Sequence, residues 1–473
     1  MSRPHVVIIG GGFGGLAAAR GLAKAEVTIT LIDRRNHHLF QPLLYQVATA
    51  ALNASDIAYP IRAVLANQKN ARVLLATAKS IDVAAKRVEL DDGMLEYDYL
   101  VLATGATHSY FGNNWDQVAP GLKTVEDALE IRRRIFIAYE AAERESDGAA
   151  QREWLTFVVV GGGPTGVELA GALGEIGLHT LAHDFRSIDP TQVQVMLFEG
   201  GDRVLAAYPE KLSAAAKRSL EKRHVEVRVN SRVTAIDDRG VTFTRDGREQ
   251  RLGARTVLWA AGVQASPLGK SLGVPLDRAG RVEVGAELSI PGRPEVFVVG
   301  DLAKMLNKDG SQVPGVAQGA LQGGKHVAKL IAAEVEDRID GNPVDPVALR
   351  KPFKYWDKGN MATIGRASAV VATKRVAIHG LVAWLAWWAV HILFLVGFKN
   401  RISVMFNWAW SWLSFKRGAR LITGEVRSLP AVRSIGPHGE PAVHHGASTV
   451  SLGVPSVPPA SPSTSPSPNE KVA

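Results

Sequence analysis

Cysteine is absent from all 473 residues of this chain. That one absence excludes disulfides, thiolate metal sites, iron–sulfur clusters and a redox-active cysteine pair, and it fits a reducing compartment. No targeting leader is expected either. Val6, Val7, Ile8 and Ile9 already read as a buried strand and Gly10 opens a glycine motif, so the expectation is a protein that stays in a bacterial cytoplasm. Acidic side chains are missing from one long stretch: Lys358 to Gly424 holds nine Lys or Arg and no Asp or Glu, whereas the rest of the chain is balanced at 46 basic and 46 acidic. The whole net charge of +9 therefore sits in this stretch, together with six of the ten tryptophans. Basic residues interleaved with long apolar runs point to an anionic membrane surface and not to nucleic acid.

What is present is a fold written twice. Residues 5–15 (HVVIIGGGFGG) recur as 156–166 (TFVVVGGGPTG), each a strand running into a glycine turn. A second strand follows each turn at a similar distance, YLVLATG at 99–105 and TVLWAAG at 256–262. Ahead of each lies a stretch of strand-like alternation, 71–90 and 225–244, which reads as an inserted strand pair. The length allows two or three domains. The fold class is thus α/β, with two tandem Rossmann-type dinucleotide-binding domains and C-terminal membrane-associated helices. The expected division is 1–120 with 256–345, then 121–255, then 346–429, then a disordered Pro/Ser-rich tail over 430–473. Helices are expected from Asp127 to Arg144, as the crossover into the second fold, and from about Gln318 to Val335.

Gly10, Gly12 and Gly15 form G-x-G-x-x-G between strand and helix, the pattern that lets a pyrophosphate approach the backbone and a helix N-terminus face it. Asp33 ends the next strand, where a carboxylate accepts ribose hydroxyls. Gly161, Gly163 and Gly166 repeat the pattern, and Glu199 is the matching acid. Glu199 lies 33 residues after Gly166 because residues 179–192 read as an insertion. An acid there accepts a ribose hydroxyl and repels a 2′-phosphate, so the second site is read for NADH over NADPH, with Arg203 nearby as a weakening influence.

Together with VFVVGDLA at 296–303, these motifs resemble the two-dinucleotide-binding-domain flavoproteins of the pyridine nucleotide–disulfide reductase type, over roughly residues 5–345. The resemblance implies FAD at the first site, held by Gly10, Gly12, Gly15, Asp33, Thr104, Gly105 and Asp301. It implies NADH at the second, held by Gly161, Gly163, Gly166, Glu199 and Gly262. Hydride transfer between these cofactors requires no side-chain acid or base; the protein aligns them. Relatives that pass electrons to a cysteine pair are excluded here, so the electrons leave for a soluble protein, oxygen or a small acceptor such as quinone.

Three further segments resemble type II NADH dehydrogenases and extend the likeness to about residue 425. AQGALQGG at 317–324 is similar to that family's A-Q-x-A-x-Q signature, which implies that Gln318 and Gln322, four residues apart on one helix face, line the quinone site. Glu168 in GPTGVELAG corresponds to a carboxylate near flavin and quinone; both proton delivery and simple help at a helix N-terminus fit it. YWDKGNMATIGRASAV at 355–370 carries Lys358, which the family places by the flavin as a cation for its reduced form. The implied reaction is a two-electron reduction of ubiquinone or menaquinone by NADH without proton pumping.

Residues 376–398 contain no formal charge and are long enough to span a bilayer. Flanking charges of one sign at both ends, and His391 with three tryptophans inside the run, favour a helix lying in the interface, with one true span or a buried core helix as the other readings. Residues 402–415 are too short to span and read as an interfacial anchor through Trp408, Trp410 and Trp412. The family is monotopic and pairs through these helices, so a homodimer on the cytoplasmic face of the inner membrane is expected. Two competing readings stand: an NADH-dependent reductase of a soluble carrier such as ferredoxin, and a flavin-binding sensor with slow turnover.

Overall fold

The two halves of the sequence repeat become two parallel sheets in the computed structural model, which describes residues 3–339, 350–414, 417–423 and 429. His5–Ile9 and Thr156–Val160 are rich in Val and Ile, as strands buried on both faces must be. Each occupies an interior position. The first sheet has the order Ser289–Ile290, Arg293–Val298, Tyr99–Leu102, His5–Ile9, Thr28–Asp33, Ala71–Leu75, parallel except at its Ser289–Ile290 edge. The second runs Val225–Arg228, Gln194–Phe198, Thr156–Val160, Thr256–Trp259, all parallel.

The expected inserted strand pairs are in fact something more. The first strand of each alternating stretch, Ala71–Leu75 or Val225–Arg228, joins the edge of its parallel sheet. The remainder forms a three-stranded antiparallel flap, Ala78–Asp82, Arg87–Leu90 and Met94–Glu96 in the first case. In the second it is Ser231–Asp237, Gly240–Arg245 and Arg248–Gly253. The third strand of each flap escapes sequence reading because it is short or largely polar and exposed, so no alternation marks it.

The crossover helix runs Val125–Arg144, its first turn closed by a capping box between Thr124 and Asp127. The chain passes between the two halves at Ala106–His108 and Val263–Ala265, which pair with each other as a short antiparallel ribbon. The helix Ala317–Ile339 packs along Phe13–Gly21 at very close range: a Cβ on Gly324 would lie 2.2 Å from the carbonyl oxygen of Gly14. Its glycines therefore let the backbone of one helix touch the other.

The apolar run 376–398 is not one helix. Its first residues form the strand Ala377–Gly380 of a three-stranded sheet with Asn360–Gly365 and Ser368–Ala372. Leu381–Phe394 is then helical for 14 residues, about 21 Å at 1.5 Å per residue, short of the roughly 30 Å of hydrocarbon. Gly397 turns the chain with φ of +91° into a second helix, Phe398–Ser414. Arg401 donates to the carbonyls of Leu395 and Leu393, satisfying the end of the preceding helix. No helix among the described residues is long and apolar enough to cross a membrane. One face of the pair enters the core through Ala383, Trp387, Ile392 and Val404, while Leu381, Val382, Leu385, Leu393, Ile402 and Phe406 are exposed. The tail expected to be disordered, 430–473, lies outside the described residues.

Candidate functional site

Both glycine turns are built alike. Gly10 has φ of +106° and Gly161 of +112°, and a Cβ at either would lie within 2.7 Å of the backbone at Ala103 or Ala260. A Cβ on Gly15 or Gly166 would sit 1.8 Å from the carbonyl oxygen of Gly10 or Gly161, so helix and strand meet there without space for a methyl group. Gly12 and Gly163, which cap their helices, face open space: a Cβ added at either would have no neighbour within 4 Å. That opening lies in front of unpaired helical N–H groups, which suit a pyrophosphate.

The acids occupy equivalent places. Asp33 accepts the Gly11 N–H at 2.6 Å and the Arg35 N–H at 2.8 Å. Glu199 accepts the Gly162 N–H at 2.6 Å and the Gly201 N–H at 2.7 Å. The long spacing before Glu199 is taken up by a π-helical turn at Ile176–Thr180 and a loop that buries Leu181 and Ile188. Arg203 gives one N–H to the carbonyl of Ala206 at 3.2 Å, a bond within its own loop.

Near the first turn, one buried polar atom has no partner within the chain. Tyr99–Leu102 delivers Thr104, whose Oγ1 is buried with no hydrogen-bond partner, and Gly105, with φ of +66°. Asp301 follows Gly300, itself at φ of +73°, and its Oδ1 lies 3.4 Å from where Gly315 would carry a Cβ, just ahead of the long helix. Orphaned Thr104 Oγ1, the open face of Gly12 and the Asp33 carboxylate fit the hydroxyls, amides and phosphates of FAD.

Gln318 and Gln322 both reach the segment that carries Lys358. The Gln322 amide forms a closed pair of bonds with Trp356, donating to its carbonyl at 3.0 Å and accepting its N–H at 2.8 Å. Gln318 donates to the Gly359 carbonyl at 3.1 Å, and its own Oε1 is buried without a partner. Lys358 is exposed, its Nζ 4.9 Å from the Trp356 ring centre and 5.7 Å from that of Phe394. The sequence likeness carried the glutamines as quinone ligands. Their visible work is to hold the lysine segment against the helix.

Glu168 stands elsewhere. The helix Pro164–Glu175 packs on the strand Asn360–Gly365 so tightly that a Cβ on Gly171 would lie 1.9 Å from the Ile364 carbonyl oxygen. This brings Glu168 beside Thr363, on the wall of a cavity of about 390 Å³ that Gln318, Gln322 and Lys358 do not line. The residue keeps some accessible surface, but its carboxyl is enclosed by protein. Burial raises its pKa from the ordinary 4.5 to about 8, against the opposing hydrogen bond from the Thr363 backbone.

Sequence reasoning missed most of that cavity wall. Tyr45 and Gln46 come from the short helix Leu44–Ala48, and Trp384, Trp387 and Trp408 from the last two helices. Gln46 donates to the Tyr45 hydroxyl at 2.8 Å and accepts the Trp408 indole N–H at 2.6 Å, tying the terminal helices to the body. Arg417, fully enclosed, donates to the Thr49 carbonyl at 2.8 Å and pairs with Glu175 at 3.4 Å. One signal was available: Glu175 lies seven residues after Glu168, two helical turns on, and so on the same face. The tryptophans were read only for their affinity to a membrane interface, although Trp387 is almost fully buried.

The chain matches the pyridine nucleotide-disulphide oxidoreductase family model over residues 4–324. It is 48% identical over 435 residues to a type II NADH:quinone oxidoreductase of Mycobacterium tuberculosis, an alignment covering 90% of each chain. A second type II NADH:quinone oxidoreductase of that organism is 46% identical over 433 residues, covering 89% of this chain and 91% of the relative. Among solved structures, NDH2 of Plasmodium falciparum in complex with NADH superposes with a TM-score of 0.79 at 19% identity, covering 89% of this chain and 100% of that one.

Proposed function

The chain belongs to the type II NADH:quinone oxidoreductases, within the pyridine nucleotide-disulphide oxidoreductase family, and from that membership we infer how its own residues divide the work. It is an FAD enzyme that oxidises NADH and reduces quinone. FAD, when bound, would supply the two-electron chemistry that links NADH oxidation to quinone reduction. Residues 1–120 with 256–345 hold the flavin nucleotide, and 121–255 hold NADH. Residues 346–429 form the acceptor end.

In this reading Gly10, Gly12 and Gly15 admit the FAD pyrophosphate, Asp33 takes a ribose, and Thr104, Gly105 and Asp301 hold the remainder. Gly161, Gly163, Gly166 and Gly262 admit NADH. The Glu199 carboxylate, already fixed by two backbone N–H groups, takes the adenosine ribose and repels a 2′-phosphate. Gln318 and Gln322 fix the segment that carries Lys358 through Gly359 and Trp356. The unpaired Oε1 of Gln318 is left to accept from a bound group. Glu168, kept protonated near neutral pH by burial, holds a proton where quinone reduction consumes one.

One observation carries the acceptor assignment: the lining of the cavity at Glu168 includes Trp384, Trp387 and Trp408, from the same two helices that also expose apolar side chains. A lipid-borne acceptor at that apolar surface would lie on the same two helices that contribute to the cavity wall. The exposed Leu385, Leu393 and Phe406, and the acid-free basic stretch, support peripheral attachment to an anionic membrane on its cytoplasmic face. The same helices carry the surface by which two copies would pair, as the resemblance implies.

The test separates the two half-reactions. Gln318→Ala and Gln322→Ala should slow reoxidation of the NADH-reduced enzyme by a soluble quinone while leaving its reduction by NADH nearly unchanged. An equal fall in both half-reactions would remove these residues from the acceptor side.

A further inference from the structure

Phe111 combines a left-handed backbone with a largely exposed ring. Its φ is +53°, a region that bulky side chains rarely adopt, and 69% of its surface is exposed. Two other large apolar residues with positive φ, Leu205 and Leu288, are buried, so Phe111 is the exposed large apolar residue of that group among the described residues. Strain of this kind collects at binding and catalytic sites.

The ring lies over Gly262. A Cβ on Gly262 would meet Phe111 Cζ at 2.6 Å and Ser109 O at 3.2 Å. The loop beneath is fixed: the Ser109 N–H donates to the Gly262 carbonyl at 3.3 Å, and the buried Trp259 indole donates to the Ser109 carbonyl at 2.9 Å. Tyr110 stacks on Trp259 at 5.3 Å, and Phe111 and Trp115 meet the same indole edge-on.

Position decides what this ring can touch. Just before Gly262, Ala260 and Ala261 abut Gly161, where a Cβ would lie 2.7 Å from their backbone; the segment is thus one wall of the second glycine turn. From Gly262 the ribbon Ala106–His108 with Val263–Ala265 leads to Gly105, whose carbonyl accepts the Ser266 N–H at 3.0 Å. Three residue pairs of ribbon amount to about 10 Å. A dinucleotide anchored at Glu199 and Gly163 must cross this interval to bring its nicotinamide to the flavin site at Thr104 and Gly105.

We propose that Phe111 is a positioning residue for NADH, its ring bearing on the nicotinamide–ribose half of the dinucleotide where it passes Gly262, and its left-handed backbone holding the ring there in advance. This rests on the second glycine turn being the NADH site. Removing a flat aromatic surface at such a place weakens binding by about five- to tenfold.

The test is rapid-mixing reduction of the flavin enzyme over a range of NADH concentrations, for the wild type, Phe111→Gly, Phe111→Leu and Phe111→Tyr. Glycine takes the positive φ without strain, so Phe111→Gly should melt no lower than the wild type and yet need about five- to tenfold more NADH for half-saturation. Phe111→Tyr should retain the wild-type value and Phe111→Leu should fall between. Reduced nicotinamide mononucleotide, which lacks the adenosine half, should show the same fold loss. A wild-type half-saturation in Phe111→Gly would overturn the proposal, as would a loss seen with NADH and not with the mononucleotide. Reoxidation by quinone, measured on the same samples, should be unaffected; a wild type that quinone fails to reoxidise would instead overturn the assigned overall reaction and leave the Phe111 result readable.

Discussion

Replacing Glu168 with Gln removes a proton that the folded chain holds and the unfolded chain releases. The carboxyl titrates near its ordinary 4.5 when exposed and near 8 in its buried site. Below pH 4.5 both states are protonated and the group costs nothing. As pH rises from there the unfolded state ionises first, so stability is lost progressively until the folded group also ionises. Each pH unit is worth about 1.4 kcal/mol, so relative to Glu168→Gln the wild type should lose about 3 kcal/mol between pH 4.5 and pH 7, the loss levelling near 5 kcal/mol above pH 8. Denaturant unfolding of both proteins from pH 4.5 to 8.5 gives the difference directly. The same ionisation predicts that quinone-driven reoxidation slows in the wild type above about pH 8, whereas Glu168→Gln is slow throughout and flat with pH. A constant stability gap across this range, or matching pH profiles, would show that the carboxyl is not held protonated and would remove it as the proton donor.

Gly15→Ala places a methyl group where the Gly10 carbonyl oxygen already lies, so the turn must open; the purified variant should carry little FAD, read from its visible absorbance per chain. Full flavin content would contradict the cradle described above. Glu199→Gln removes a charge-assisted acceptor and the repulsion of a 2′-phosphate, so the preference for NADH over NADPH should fall by roughly tenfold or more, as the ratio of kcat/KM values reports. An unchanged ratio would place coenzyme selection elsewhere. Leu385→Ser, Leu393→Ser and Phe406→Ser together remove several kcal/mol of apolar transfer energy, at about 1.5–3 kcal/mol each if fully buried in lipid. The triple variant should stay folded and leave sedimented anionic vesicles for the supernatant; undiminished sedimentation would mean another surface binds them.

Much of this architecture was legible because backbone geometry forces it. A strand that runs into a tight turn at a helix N-terminus needs glycine at three fixed places, and Gly10–Gly15 and Gly161–Gly166 announce that requirement twice. The position of Glu199 at a strand end was legible despite its distance, because a strand end, not a residue count, defines that place. The apolar run 376–398 misled on length: hydropathy sees no charge between Arg375 and Lys399, but Gly380 and Gly397 divide the run into strand, short helix and turn. The cavity was illegible for a different reason. Tyr45, Gln46, Glu168, Trp387, Trp408 and Arg417 are scattered over most of the chain, and only tertiary packing brings them together. Phe111 could not be singled out from sequence either, since a backbone torsion carries its significance.

Because no sulfur relay exists in this chain, electrons taken from NADH must go directly to an acceptor that reaches the flavin. Sequential-mixing spectroscopy measures that transfer: the flavin enzyme is first bleached with one equivalent of NADH, then mixed with either a water-soluble quinone or an oxidised ferredoxin. The yellow colour should return rapidly with the quinone and little with the ferredoxin. Return with ferredoxin alone would contradict direct transfer to quinone.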